Sequence, residues 1–187
     1  MSHEIVLRNY FHAKDENRPH ILASVFTSDA SLQVRNNSTN VAFPDKAQGR
    51  EAIAEVLIGQ FNRTYENIYS FYLARPPATA QSFACGWLVG MTDKESKSVR
   101  VGCGTYKWTF NQEAQGLASA LVISIEVMLV LPPNRTAAVL PWLLRLSYPW
   151  CSPMQALEMA PSLGELAPVL ECLAGKGIGA SQVAPSK

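Results

Sequence analysis

The sequence predicts an α+β fold: a curved antiparallel sheet packed on three N-terminal helices, followed by a C-terminal helical extension. Three observations predict it. Residues 82–91, 99–110 and 120–131 are long runs rich in β-branched and aromatic residues, which suit a pleated, half-buried surface. The breaks between them, 93–97 and 111–116, carry polar and glycine residues of hairpin type. Helical periodicity is concentrated upstream of these runs, and helices segregated from strands in this way make an α+β layer rather than a parallel α/β sheet.

Taken in order, the first helix is expected over 4–14, where Val6, Leu7, Tyr10 and Phe11 recur at helical spacing. Glu4 in its first turn suits the positive end of the dipole. Asp15-Glu16-Asn17-Arg18 breaks it, and Pro19 opens a second short helix presenting Ile21, Leu22, Val25 and Phe26. A strand over 31–34 dissolves into a polar loop over 35–40. Asp45-Lys46-Ala47-Gln48 has capping-box spacing, which predicts a third helix over 49–63 with Ile53, Val56, Leu57 and Phe61 inward. A strand over 68–73 ends at Arg75-Pro76-Pro77. Beyond Pro132-Pro133, the apolar stretch holding Trp142 and Trp150 predicts a helix starting at Pro141, and capping-box spacings at 152–155 and 162–165 predict two more. Tryptophans are costly to leave in water, so this extension is expected to dock on the sheet. The organisation read from these elements is a domain over 1–133, an extension over 134–174, and a Gly/Ala/Ser-rich tail over 175–187 expected to be disordered.

At 187 residues the chain can bury one sizeable core, and a net charge of +1 offers no electrostatic footprint for nucleic acid. The four cysteines are scattered without a C-x-x-C pair, and the three histidines all precede residue 21. That pattern fits buried thiols in a reducing compartment, not a disulfide framework or a zinc site. The most apolar run, 117–131, is short for a membrane span and holds Glu126. The start of the chain leads directly into an amphipathic helix, so no signal peptide is expected. The expected setting is cytoplasmic, with no membrane, nucleic-acid, metal or cofactor partner.

Period two divides the strand over 99–110. Arg100, Gly102, Gly104, Tyr106, Trp108 and Phe110 share one face, and Val99, Val101, Cys103, Thr105, Lys107 and Thr109 the other. The aromatic face is the one helices would cover, and its glycines let a strand bend or leave space. Such a face reads either as a ligand pocket or as plain core with glycines for curvature. The same period puts Ser124, Glu126 and Met128 together on one face of the last strand. Glu126 reads either as a carboxyl in apolar surroundings, a general acid or base, or as a surface carboxylate in an ion pair. Tyr10, in the buried stripe of the first helix, needs a partner for its hydroxyl.

The segments Tyr10-Phe11-His12-Ala13, Leu22 to Leu32 and Gly49-Arg50-Glu51-Ala52-Ile53 resemble the NTF2-like superfamily in its SnoaL-like or ketosteroid-isomerase-like branch, over about residues 4–131. The resemblance implies a cone formed by a curved sheet over three helices, often a homodimer through the outer sheet face, in a family holding isomerases, dehydratases, cyclases, epoxide hydrolases and noncatalytic modules. It places Tyr10 where the steroid isomerases keep a first-helix hydrogen-bond donor, and Tyr106 near their second oxyanion-hole donor. Val34 falls near their basic aspartate, Arg100 and Gly102 near the Arg-x-Asp of the epoxide hydrolases, and the sheet histidines of the dehydratases have no counterpart. The expected ligand is small and largely apolar. Tyr10, Tyr106 and Arg100 would supply polar contacts, Trp87 or Trp108 stacking walls, and Glu126 the base of any isomerase-, dehydratase- or cyclase-type proton transfer. The alternative is a noncatalytic dimerisation or interaction module whose cone is plugged by the extension around Trp142 and Trp150.

Overall fold

The computed structural model describes residues 2–78 and 80–175, so residues 176–187 of the expected tail lie outside the described residues. Helix α1 (His3–Asp15) buries Val6, Leu7, Tyr10 and Phe11 on the predicted stripe. A 3-10 turn, Pro19–Ser24, follows with proline in its first turn. The six strands are β1 (Phe26–Asn36), β2 (Lys46–Gln48), β3 (Tyr65–Tyr72), β4 (Ser82–Asp93), β5 (Val99–Asn111) and β6 (Leu117–Leu131). They form one sheet in the order β2-β1-β6-β5-β4-β3. Every pair is antiparallel except β1 with β6, which run parallel. The hairpins fall where expected, with Asp93 accepting from the Ser96 amide at 2.8 Å in the first and Asn111 from the Glu113 amide at 2.9 Å in the second.

Three local readings are corrected. Residues 45–48 do not cap a helix: Lys46–Gln48 is an edge strand on β1, and the Gln48 amide donates to the Asp29 carbonyl at 2.6 Å. The following helix is capped by Gly49 at φ 86° with no side-chain bond, a conformation glycine adopts freely. It starts as α2 (Arg50–Ala54), widens into a π turn over Glu55–Gln60, and ends as α3 (Phe61–Thr64). In the C-terminal part, α4 (Thr136–Leu144) begins before Pro141 and contains it. Helix α5 (Pro153–Glu158) has the predicted Ser152 cap, accepting from the Gln155 amide at 3.0 Å, whereas Ser162 caps nothing before α6 (Ala167–Leu173).

The sheet separates two apolar clusters. On its concave side α1, α2 and α3 meet Tyr106, Trp108 and Phe110, the face assigned from period two. On its convex side Val139, Trp142, Leu143, Leu166, Val169 and Leu173 of the extension cover Phe71, Leu88, Val99, Val101, Cys103 and Leu131. The chain also crosses the β3 edge: the Tyr72 amide donates to the Pro149 carbonyl at 2.8 Å and the Cys151 amide to the Tyr72 carbonyl at 3.0 Å.

One strand is misread by strict alternation. Cys103 pairs with Val127 and Gly104 with Ile125, so Glu126 is the extra residue of a β-bulge. The bulge resets the parity of β6, and Met128 joins Ile123 and Ile125 in the inner cluster instead of sharing a face with Glu126. Opposite the bulge, Gly104 has no room for a side chain: a Cβ there would lie 1.9 Å from the Ser124 carbonyl oxygen and 2.7 Å from Trp87 Cζ2.

Candidate functional site

The concave side holds a small cavity of about 50 Å³, lined by Tyr10 and Lys14 of α1, Val34 of β1, Leu57 and Phe61 of the helical segment, Trp87, Val89 and Met91 of β4, Tyr106 of β5, and Ile123, Ile125 and Met128 of β6. Phe43 closes one side from the loop after β1, stacked on Phe61 with ring centroids 6.2 Å apart. Among the bonds that tie that loop to the sheet are those of Asn40, whose side-chain amide donates to the Met128 carbonyl at 2.7 Å and whose carbonyl accepts from the Arg100 guanidinium.

The cavity is small because aromatic rings fill the rest of the cone. Tyr10 packs edge-on against Trp108, centroids 5.0 Å apart, and against Tyr106 at 6.1 Å. Phe11 stacks on Tyr72 at 4.0 Å, and the Tyr72 hydroxyl donates to the Leu7 carbonyl at 3.1 Å. These rings bring polar tips inside, and not all are paired. Tyr10 Oη and Trp87 Nε1, both on cavity-lining residues, are buried without a partner, as is Trp108 Nε1 behind them. The Tyr106 hydroxyl is near enough to oppose the pKa shift of Tyr10, yet no hydrogen bond of proper geometry joins the two. Burial, then the charge of Asp15, pushes the Tyr10 hydroxyl far above the ordinary phenol value. Burial also raises Tyr106, with Tyr10 and Asp15 adding to it. Both stay protonated and serve as donors near neutral pH.

The wall also holds a charged cluster that residue spacing did not reveal. Lys14 is only 6% exposed. Its ammonium binds Asp15 Oδ1 and, at 2.9 Å, Ser70 Oγ, and it lies 5.0 Å from the Phe61 ring centroid. The Ser70 hydroxyl donates to Asp15 Oδ1 at 3.0 Å, leaving Asp15 Oδ2 buried and unpartnered. Burial raises the Asp15 pKa, with Lys14 opposing. The only signal of this cluster in the sequence is two adjacent opposite charges at the end of a buried helical stripe.

The sequence-derived site residues therefore separate. Tyr10, Tyr106 and Trp87 meet at the cavity. Trp108 is fully buried behind Tyr10 and is not on the cavity wall. Arg100 is a brace: it holds Asn40, faces Asp93 at 3.8 Å and lies over Tyr65. Glu126, the bulge residue, accepts from the Asn37 amide at 2.9 Å and lies outside the cavity, its charge felt by Cys103 and Cys172 under the extension. Trp142 does not enter the cone, whereas Trp150 joins the border of the inner cluster without reaching the cavity wall. Trp142 sits in the convex cluster, while Trp150 caps the side of the cone between Tyr72 and two guanidinium groups, Arg8 at 4.4 Å and Arg75 at 4.9 Å. All four cysteines are free and buried. Among the described residues no group of three or more His, Cys, Asp or Glu could hold a metal ion, and no helix is long and apolar enough to cross a membrane.

A curved sheet wrapped over N-terminal helices around a small interior cavity defines a cone-shaped α+β protein. Comparison by sequence finds no matching family model and no matching curated protein. Comparison by structure does. A putative isomerase from Rhodopseudomonas palustris aligns with a TM-score of 0.54 at 15% identity, over 65% of this chain and 86% of that one. A type 2 hexachlorocyclohexane dehydrochlorinase aligns at 0.53 and 14%, over 67% and 84%. An NTF2-like superfamily protein from Salmonella enterica serovar Typhimurium aligns at 0.51 and 12%, over 64% and 85%. The chain has the NTF2-like fold, as the resemblance in its sequence implied.

Proposed function

We propose that this protein binds a small, compact, largely apolar molecule carrying one acceptor oxygen, such as a ketone or its enolate, inside the cone. The observation that carries this reading is the Tyr10 hydroxyl, buried without a partner on the wall of a largely apolar cavity. A buried donor left unpaired costs about 1–3 kcal/mol. A ligand oxygen accepting from Tyr10, with Trp87 Nε1 and Tyr106 Oη close by, recovers that cost. The cavity's 50 Å³ restricts the ligand to a few heavy atoms unless Phe43 and its loop yield, far below the ~300 Å³ of a drug-sized pocket. The fitting reaction class is proton transfer of isomerase type. Tyr10 and Tyr106 stabilise the developing oxyanion; Lys14 hands its ammonium proton to the Asp15 carboxylate it touches, and the resulting neutral amine takes a proton from the ligand carbon and returns it at the second carbon. A dehydrochlorinase and a protein described as a putative isomerase, among the structural neighbours, are consistent with that class but share only the fold with this chain.

The test is a titration of acetone and cyclopentanone, with isobutene and cyclopentane as shape-matched controls, monitored by calorimetry and thermal melting. The ketones are expected to bind and to raise the melting temperature more than the hydrocarbons, and Tyr10→Phe to abolish the difference. A second reading, a noncatalytic module with a filled cone, draws on the small cavity volume. Equal, negligible effects of ketones and hydrocarbons would establish that reading instead.

The homodimer and the cytoplasmic setting belong to the same proposal. With the extension covering part of the convex face, the surface left for a second copy is its polar part around Arg35, Thr105, Lys107, Thr109, Val122 and Ser124. Sedimentation of Lys107→Glu against the wild type tests it: the variant is expected to dissociate, and a wild type that is monomeric at all concentrations refutes the dimer.

A further inference from the structure

We propose a second binding site, for a primary amine with a short apolar tail, in the groove between the C-terminal end of α1, β3 and α4. The groove encloses about 290 Å³ and is lined by Asp15 and Glu16 at one end, and by Ile68, Tyr69, Phe71, three leucines of 143–146 and Tyr148 elsewhere. It is separate from the inner cavity, and the Lys14–Asp15 pair forms the partition: Lys14 lines the cavity and Asp15 the groove.

Three features favour an ammonium group. The first is the unused carboxylate oxygen. Lys14 and Ser70 both bind Asp15 Oδ1, while Oδ2 is buried with no partner, and an ionised acceptor with a free lone pair forms its strongest bonds with a charged donor. The second is position: the groove's acidic end lies at the C-terminus of a 13-residue helix, where the helix dipole is negative. The third is that no Lys or Arg lines the groove. Of the cations nearby, Lys14 is held on Asp15 Oδ1 and Ser70 from the cavity side, leaving Oδ2 free, and Arg18 pairs with Glu16 at 3.0 Å. The Tyr148 hydroxyl feels both carboxylates, which raise its pKa after burial does, with Arg8 opposing. The tail has its own complement, since Leu144 and Tyr148, 69% and 46% exposed, hold an apolar rim in water. An alkylammonium covers that rim while its head reaches Asp15.

Calorimetric titration of the whole protein with hexylammonium chloride tests this, with hexan-1-ol and hexanoate as controls of equal length. Hexylammonium is expected to bind saturably and about tenfold or more tightly than either control, the difference of one charge-assisted hydrogen bond. Asp15→Asn is expected to remove that preference. Asp15 is buried, so Leu144→Lys supplies the independent arm: it sets a competing ammonium on the exposed rim and is expected to weaken hexylammonium binding about tenfold with an unchanged melting temperature. Absence of saturable binding at millimolar hexylammonium, equal binding of hexanol, or unchanged affinity in Leu144→Lys would each overturn the assignment.

Discussion

Inside the cone, Tyr10, Trp87 and Trp108 carry polar tips into the core, and none of Tyr10 Oη, Trp87 Nε1 and Trp108 Nε1 finds a partner. In the convex cluster the one tryptophan, Trp142, donates its indole N–H to the Ala156 carbonyl at 3.1 Å among mostly aliphatic neighbours, whereas Trp150, the extension's other tryptophan, packs in the inner cluster with its Nε1 unpartnered. Both regions are equally shielded from water, so burial does not distinguish them; hydrogen bonding does. Packing alone favours the second arrangement, because each buried donor left unpaired is a standing cost of about 1–3 kcal/mol. The convex cluster is accordingly the better hydrogen-bonded half of the molecule, and the concave cluster, where the proposed ligand would sit, the less satisfied one.

The largest effect expected from this contrast is in the convex half. Trp142→Ala should lower stability by about 3–5 kcal/mol, through lost burial, a cavity and an orphaned Ala156 carbonyl, measured by urea unfolding. A loss under about 1 kcal/mol would mean that the extension rests loosely on the sheet. Next is the buried pair on the concave side. Because burial raises the folded-state pKa of Asp15, the folded chain binds that proton more tightly than the unfolded chain. Its contribution is therefore most favourable below the ordinary carboxylate pKa of about 4 and is lost as pH rises through the raised value. Urea melts across that range should show wild type losing stability relative to Asp15→Asn as pH increases, and Lys14→Met should steepen the loss by removing the opposing cation. A wild-type-minus-Asp15→Asn difference that is flat with pH would show the pair to be solvated.

Gly104→Ala sharpens the geometry. Its Cβ would collide with the Ser124 carbonyl and with Trp87, so a cost of about 1–3 kcal/mol or more is expected, together with a shifted tryptophan emission. Gly164→Ala meets nothing within 4 Å and should stay within about 0.5 kcal/mol. The smallest effect on stability is expected at Tyr10→Phe. No bond is lost, so thermal melting should show a change within about 1 kcal/mol or a slight gain, while ketone affinity falls. A large loss of stability in Tyr10→Phe would place an unseen partner on that hydroxyl and erase the contrast between the two clusters.

What the sequence disclosed follows from how far each pattern depends on distant residues. The α1 stripe and the aromatic face of β5 were legible because their periods run unbroken, and they delivered Tyr10 and Tyr106. The β6 faces were not, since a bulge at Glu126 resets the alternation and nothing local to 120–131 announces an unpaired residue. Residues 45–48 satisfy the capping-box spacing, yet their backbone pairs with β1, a contact between segments whose spacing alone carries no information. Asp15 read as a helix breaker because a buried carboxylate is visible only once Ser70 and the Phe11 and Phe61 rings are brought around its lysine. Arg100 lies on the expected face but braces a loop instead of lining the cavity, and that loop reaches it only through the fold.

The backbone bonds between Tyr72 and the chain at Pro149 and Cys151 have a consequence for solubility. Unpaired strand edges are templates for adding further strands, the start of aggregation. This sheet blunts its two borders differently. One ends in β2, only 3 residues long with Lys46 and Gln48 exposed. The other, β3, is an eight-residue strand, half of it aromatic, whose far end at Tyr72 is occupied by the chain's own returning segment. The C-terminal part thus guards the chain against self-assembly at the border where its sequence is most adhesive.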